Sequence, residues 1–127
     1  MIDALFNQTN YVATKKMLDA TALRHEAIAS NLANLETPGY KRIDVNSDFG
    51  AELQRAIGTN NSAAIAQLQP SVAVDSTAVA ANRDGNTVQL ETELMQLSQN
   101  TLAHTFETQL ATNQLMRLRL AITGRAS

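Results

Sequence analysis

Apolar residues recur at helical spacing at both ends of this chain and thin out between them. Tyr11, Leu18, Ala22, His25, Ala29 and Leu32 trace one stripe, and Met17, Ile28 and Leu35 trace a second that partly overlaps it. A recurrence near 3.6 residues marks a helix, and two stripes leave little more than half of its surface wet. The pattern predicts a first helix over residues 9–36.

The other end is more regular. Leu90, Leu94, Leu97, Thr101, His104, Thr108, Ala111, Leu115, Leu118 and Ile122 alternate spacings of four and three, as a coiled-coil seam does, and predict a helix over residues 87–122. Such a helix is about 54 Å long, more than a single small domain requires. Asp84-Gly85 is a turn signal, and Asn86 with Gln89 three residues on resembles a capping box. Glu91 and Glu93 suit the positive end of the helix dipole, Arg117 and Arg119 the negative end, and Gly124 a C-terminal cap. Met95, Leu102, Phe106, Leu110 and Leu120 form a further apolar set off the seam. One antiparallel partner helix cannot cover both faces, so other copies or other proteins are expected to.

Residues 37–86 are rich in Asn, Ser, Gln, Ala and Thr. Phe49, Leu53 and Ile57 predict a short helix that starts at Ser47 or Asp48 and stops at Gly58, while Ile43 with Val45, and Val72 with Val74, alternate as brief strands do. Residues 58–83 yield no firm path. The expected fold is all-α within a single domain over 1–127: two long terminal helices pair as an antiparallel coiled coil, joined by a largely irregular segment holding the short helix and strands.

The stretch ASNLANLETPGYKR, residues 29–42, interrupts this pattern abruptly. Asn31 and Asn34 sit one turn apart at the end of the first helix, although asparagine competes for backbone hydrogen bonds and is a poor helix former. Pro38 lacks an amide donor and drives Thr37 towards extended backbone, while Gly39 tolerates positive φ. The helix is therefore stopped here, and the two asparagines read either as a solvated last turn or as buried polar groups that fix register.

Composition sharpens the picture. In 127 residues, 44% are hydrophobic, but much of that is alanine; aromatic residues are 4% and tryptophan is missing. Alanine buries little area, so a self-sufficient globule is not expected and partners complete the core. A net charge of −2 without a basic stripe excludes an ordinary nucleic-acid binder. No cysteine is present, which removes disulfides and thiolate chemistry. No run of about 18 apolar residues suits a membrane span. Residues 1–25 carry no basic start followed by an apolar run, so a cleavable secretory signal is not expected.

The histidines invite an active-site reading, but Glu26 projects about 100° away from His25 on a helix, and only His104 and Glu107 share a face. Two histidines and one aligned carboxylate fall short of a helical metal set, and no phosphate loop or nucleophile arrangement is present. No catalytic, cofactor or metal residues are expected; His104 reads as a polar or pH-sensitive seam position. Two function classes remain: an obligate assembly subunit, and a soluble helical adaptor or chaperone that binds amphipathic helices.

Ser30-Asn31-Leu32-Ala33-Asn34-Leu35-Glu36-Thr37-Pro38-Gly39-Tyr40-Lys41 resembles the amino-terminal signature of the flagellar rod, hook and hook-associated axial proteins, S-N-[LI]-A-N-x-x-T-P-G-[YF]-[KR]. Asp84-Gly85-Asn86-Thr87-Val88-x-Leu90-Glu91-x-Glu93-Leu94-Met95 and the long helix after it are similar to the carboxy-terminal half of the flagellar basal-body rod protein family. The chain has no room for the large inserted domains of distal rod and hook members, which leaves the short proximal ones. This resemblance implies a non-enzymatic subunit of the proximal rod, a periplasmic hollow tube, exported by the flagellum's own type III apparatus. Implied partners are other copies, other proximal rod proteins, and the adaptor at the rod base with the membrane ring and export gate. It further implies that Asn31 and Asn34 are satisfied polar contacts, that Thr37, Pro38 and Gly39 redirect the chain, and that Tyr40 and Lys41 meet an adjoining segment or subunit. Leu18, His25 and Leu32, with Leu90, Leu94, Leu97, His104, Leu115, Leu118 and Ile122, would form the assembly seam.

Overall fold

The computed structural model describes residues 2–80 and 82–124, with side chains from Gln8 onward. Its elements are α1 (Ile2–Ala33), β1 (Ile43–Val45), α2 (Asp48–Gly58), α3 (Ser62–Gln67), β2 (Val72–Val74) and α4 (Leu90–Thr123). Asn31 bonds Glu93, and Thr21 bonds Asn100 and Glu107, so α1 and α4 run antiparallel as expected.

The two long helices meet through unexpected residues. On α1 the buried positions include Ala13 and Thr14, Ala20 and Thr21, Ala27 and Ile28, small or β-branched pairs seven residues apart, with Thr9 and Asn31 buried beyond them at either end. The buried residues of α4 are Glu93, Asn100 and Glu107, also at heptad spacing. Small side chains leave room for long polar ones to cross the interface and bond on the far helix. The leucine seam therefore does not centre the pairing: Leu90, Leu94, Leu115 and Ile122 are exposed by 45%, 47%, 42% and 83%. Leu97 and Leu118 are half-buried and His104 is exposed. A helix with apolar strips on both flanks of a polar inner row carries two equivalent candidates for its inner face, and periodicity does not separate them.

The apolar core is small and off-axis. Ala13 and Ala20 of α1, Phe49 and Leu53 of α2, and Ile65 of α3 form it, with Val12, Ala56 and Leu68 against it. The short helix and both strands lie where the pattern puts them; β1 and β2 pair antiparallel with Ile43 opposite Val74 and Val45 opposite Val72. α3 was not legible, because Ser-Ala-Ala-Ile-Ala-Gln offers one large apolar residue; Asn61 caps it, its side chain accepting the Ala64 amide at 3.1 Å.

Three boundaries move. α1 starts at Ile2 instead of residue 9 and ends at Ala33 instead of 36, so Asn34 lies in the turn that follows. α4 begins at Leu90, with Gln89 at the N-cap and no side-chain cap, so Asn86 and Gln89 form no capping box. Arg117 and Arg119 fall short of the last turn. Gly124 does close α4 in the left-handed region at φ 64°, its amide on Leu120 O at 2.8 Å.

Candidate assembly site

Past Ala33 the chain makes tight turns, with Asn34 N–H on Asn31 O at 3.2 Å and Thr37 N–H on Asn34 O at 3.1 Å. Asn34 Nδ2 also folds back on Ser30 O at 2.8 Å, and its Oδ1 accepts the Thr37 hydroxyl at 3.1 Å. Gly39 adopts φ 74°, a conformation that glycine takes without strain, and its amide reaches Asp84 O at 2.8 Å. Thr37 and Pro38 are exposed and direct the chain without packing.

Asn31 is fully buried and all its capacity is used. Its Nδ2 donates to Ile43 O at 2.8 Å and to Glu93 Oε2 at 3.2 Å, while Oδ1 accepts the Ile43 amide at 3.0 Å and the Tyr40 hydroxyl at 3.2 Å. One amide thus joins α1, the turn, β1 and α4. Tyr40 Oη also lies 3.0 Å from Ser30 Oγ, and Lys41 Nζ donates to Gly85 O at 2.8 Å. Both side chains are engaged by adjoining segments of the same chain. Leu32 is half-buried and Ala33 exposed.

Asn86 completes the lock. Its Nδ2 donates to three carbonyls of the turn beyond α1, Asn34 O at 2.9 Å, Leu35 O at 3.1 Å and Thr37 O at 2.8 Å, of which the first and last also accept the Thr37 and Tyr40 amides. Its Oδ1 accepts the Val88 amide at 2.8 Å. The side chain read as a cap for α4 instead ties down the turn that follows α1.

Behind the turn lies a buried ionic cluster that sequence reading missed. Arg42 Nε bonds Glu93 Oε1, and Nη1 reaches Asp44 at 3.1 Å and Asp75 at 2.9 Å. Arg24 pairs with the other oxygen of Asp44 at 2.9 Å. Burial pushes the Asp44 carboxyl up, but the bonds from Arg24, the Val45 amide and Arg42 outweigh it and hold it below its ordinary range. Hydrogen bonds from Thr77, then the bond and charge of Arg42, likewise hold Asp75 low against slight burial. A buried charge stripped of its partner costs about 3–5 kcal/mol, so this cluster fixes the position of the β1–β2 unit on α1 and α4.

Midway along the pair, Thr21 Oγ1 donates to Glu107 Oε2 at 3.0 Å and lies 3.0 Å from His104 Nδ1. Burial raises the Glu107 carboxyl above its ordinary range, and Thr21, His104 and Arg24 only partly offset it. Asn100 Nδ2 donates to Thr21 O at 2.8 Å. Asn100 Oδ1 and Gln114 Oε1 are buried without a hydrogen-bond partner among the described residues. Such a row specifies register more than strength.

The two flanks of the helix pair differ. On one, an open groove of about 400 Å³ is lined by Thr21, Ala22, His25, Glu26, Asn100, Thr101, His104 and Thr105. His25 and His104 thus share a groove, and no group of three metal-ligating side chains forms among the described residues. The other flank carries α2 and a groove of about 450 Å³, with Met17, Ala20, Phe49, Leu53, Ile57 and Glu107 among its walls. Along α4, Leu102 and Phe106 stand 73% and 67% exposed. The arrangement holds a hairpin rigid and presents apolar strips. The seven-residue recurrence of Glu93, Asn100 and Glu107 was the sequence signal for the inner face, and it is visible only when polar residues are tested for periodicity.

A profile of the flagella basal body rod protein family matches residues 18–41. The flagellar basal body rod protein FlgB of Cereibacter sphaeroides is 36% identical over 109 residues, covering 80% of this chain and 84% of that protein. FlgB of Salmonella typhimurium is 32% identical over 106 residues, 71% of this chain and 75% of that one. FlgB of Aquifex aeolicus is 31% identical over 114 residues, 88% and 91% respectively.

Proposed function

Because this chain belongs to the flagellar basal-body rod family, among its FlgB members, we propose that it builds the proximal rod by packing its paired terminal helices against those of neighbouring subunits. It is a structural protein, not an enzyme. The observation that carries the assembly reading is the division of labour on α4. Its inner row is occupied by polar bonds to α1, while Leu90, Leu94, Met95, Leu102, Phe106, Leu115, Met116, Leu120 and Ile122, all at least 39% exposed, await cover. Exposed apolar area on this scale marks a protein–protein surface.

The tube so formed transmits torque and passes exported subunits. Its neighbours are further copies, other proximal rod proteins, and the adaptor at the rod base with the membrane ring and export gate. The rod stands in the periplasm, reached through the flagellar type III apparatus; no helix among the described residues is long and apolar enough to cross a membrane. Ser30, Asn31, Leu32, Ala33, Asn34, Thr37, Pro38, Gly39, Tyr40 and Lys41 serve assembly by fixing the angle at which the β1–β2 unit leaves the pair. Leu18, His25, Leu32, Leu90, Leu94, Leu97, His104, Leu115, Leu118 and Ile122 supply the packing face. Purified basal bodies test this directly: the chain should fractionate with them, and cells lacking it should have no complete rods. Normal motility after deletion contradicts the reading.

A further inference from the structure

The two flanks of the helix pair are apolar in different ways, and their charges complement each other. In the groove between α1 and α2, only Arg24 and Glu107 are charged. Arg24 is taken by Asp44. Glu107, 7% exposed, receives a hydroxyl from Thr21 but has no ion-pair partner among the described residues. Met17, Ala20, Val45, Phe49, Leu53 and Ile57 give the groove apolar walls, with Thr21, Asn46, Ser47 and Gln54 as its uncharged polar members, so it suits a cation carried among apolar side chains.

The same chain carries such a surface. From residue 108 to residue 123, α4 contains Arg117 and Arg119 and no acidic residue. Leu115, Arg119 and Ile122 stand at i, i+4 and i+7, on one face of the helix. Their face continues the leucine seam, whose Thr101 and His104 line the histidine groove. That groove takes Ala22, His25 and Glu26 from α1, whereas the acidic groove takes Met17, Ala20 and Arg24, so the two open on opposite flanks of the pair. A knob on one flank and a socket on the other give a head-to-tail contact that does not close on itself, as a helical tube requires.

We propose that the α4 end of one copy, through Leu115, Arg119 and Ile122, seats in the α1–α2 groove of the next copy, with Arg119 facing Glu107. This rests on the rod-subunit reading and names the contact between like subunits within it. Arg117 lies on the other side of α4 and takes no part.

The chain has no cysteine, so engineered pairs report without background. Full-length chain carrying Ile57→Cys at the groove rim and Ile122→Cys on the knob is expressed in place of the native protein, and purified basal bodies are oxidised. Covalent dimers and higher multimers are expected from the double variant and not from either single one. Adding Arg119→Glu should lower the cross-link yield about tenfold or more, whereas Arg117→Glu should leave it near the parent value. Basal bodies that contain the double variant but yield only monomer overturn the proposal and leave the rod reading intact. Equal loss with Arg117→Glu and Arg119→Glu overturns the assigned face. A chain missing from basal bodies altogether, with every variant and the native sequence, overturns the rod reading itself.

Discussion

Asn86 holds three carbonyls of the turn with a single amide nitrogen, and no other side chain in the lock satisfies so many backbone groups. Replacing it by alanine takes from Leu35 O and the Val88 amide the partner it gives them and strips a second bond from Asn34 O and Thr37 O, so Asn86→Ala should cost about 2–3 kcal/mol. Asn86→Asp keeps the shape but turns a donor into a carboxylate facing carbonyl oxygens, and should cost more. Thermal unfolding of the pair of variants checks the order; equal effects would mean that shape, not donation, matters. Glu107 behaves differently because burial raises its carboxyl in the folded chain. A raised acid contributes stability that is full below its unfolded value and lost as pH rises through its folded value. Asp44 and Asp75 lie low and act in the opposite sense, losing their contribution below about pH 4. Glu107→Gln keeps an acceptor for Thr21 without the charge, so it should raise the melting temperature near pH 7 and make little difference near pH 4. A variant less stable than the parent at both pH values would contradict this assignment.

At the scale of elements, the Thr-Pro-Gly turn sets where α1 stops and where β1 begins. Gly39 at φ 74° resists any side chain, at a cost of about 1–2 kcal/mol, and Pro38 blocks helical continuation. Pro38→Ala with Gly39→Ala removes the block, and each added helical residue turns the following side chain by about 100°. Tyr40 then leaves Ser30 and Asn31, and Lys41 leaves Gly85. Circular dichroism should show helicity kept or increased while rod assembly and motility are lost; a motile double mutant would reduce the turn to a convenient terminator. The turn, α2 and both strands were legible because proline, glycine and short apolar groups act locally. The inner face of α4 was not, because long-range partners decide it: Arg42 and Asn31 meet the buried Glu93 from 51 and 62 positions away respectively. Asn86 was misread for the same reason, since a side chain at a helix start looks like that helix's own cap until its three bonds to another segment are seen.

The whole molecule joins a rigid, polar-locked turn to a helix pair whose outer surfaces are apolar on both flanks. Among the described residues the buried apolar side chains include few large ones, such as Ile28, Phe49, Leu53 and Ile65, while many large apolar side chains of α4 stand exposed, which leaves hydrophobic surface for contacts between chains. The inner polar row fixes the register of α1 on α4, and the outer strips are the surfaces that the proposed assembly would cover. Those two roles predict different fates on assembly: inner contacts persist, outer surfaces disappear. A density map of the intact basal body with this chain traced in its proximal rod measures both at once. It should keep the Asn31 bonds to Ile43 and Glu93 and the Asn86 bonds to the turn, with Leu90, Leu94, Leu102, Phe106, Leu115 and Ile122 buried against other subunits. A rod without this chain, or one in which those α4 residues face solvent while Glu93, Asn100 and Glu107 turn to neighbouring subunits, would contradict the account.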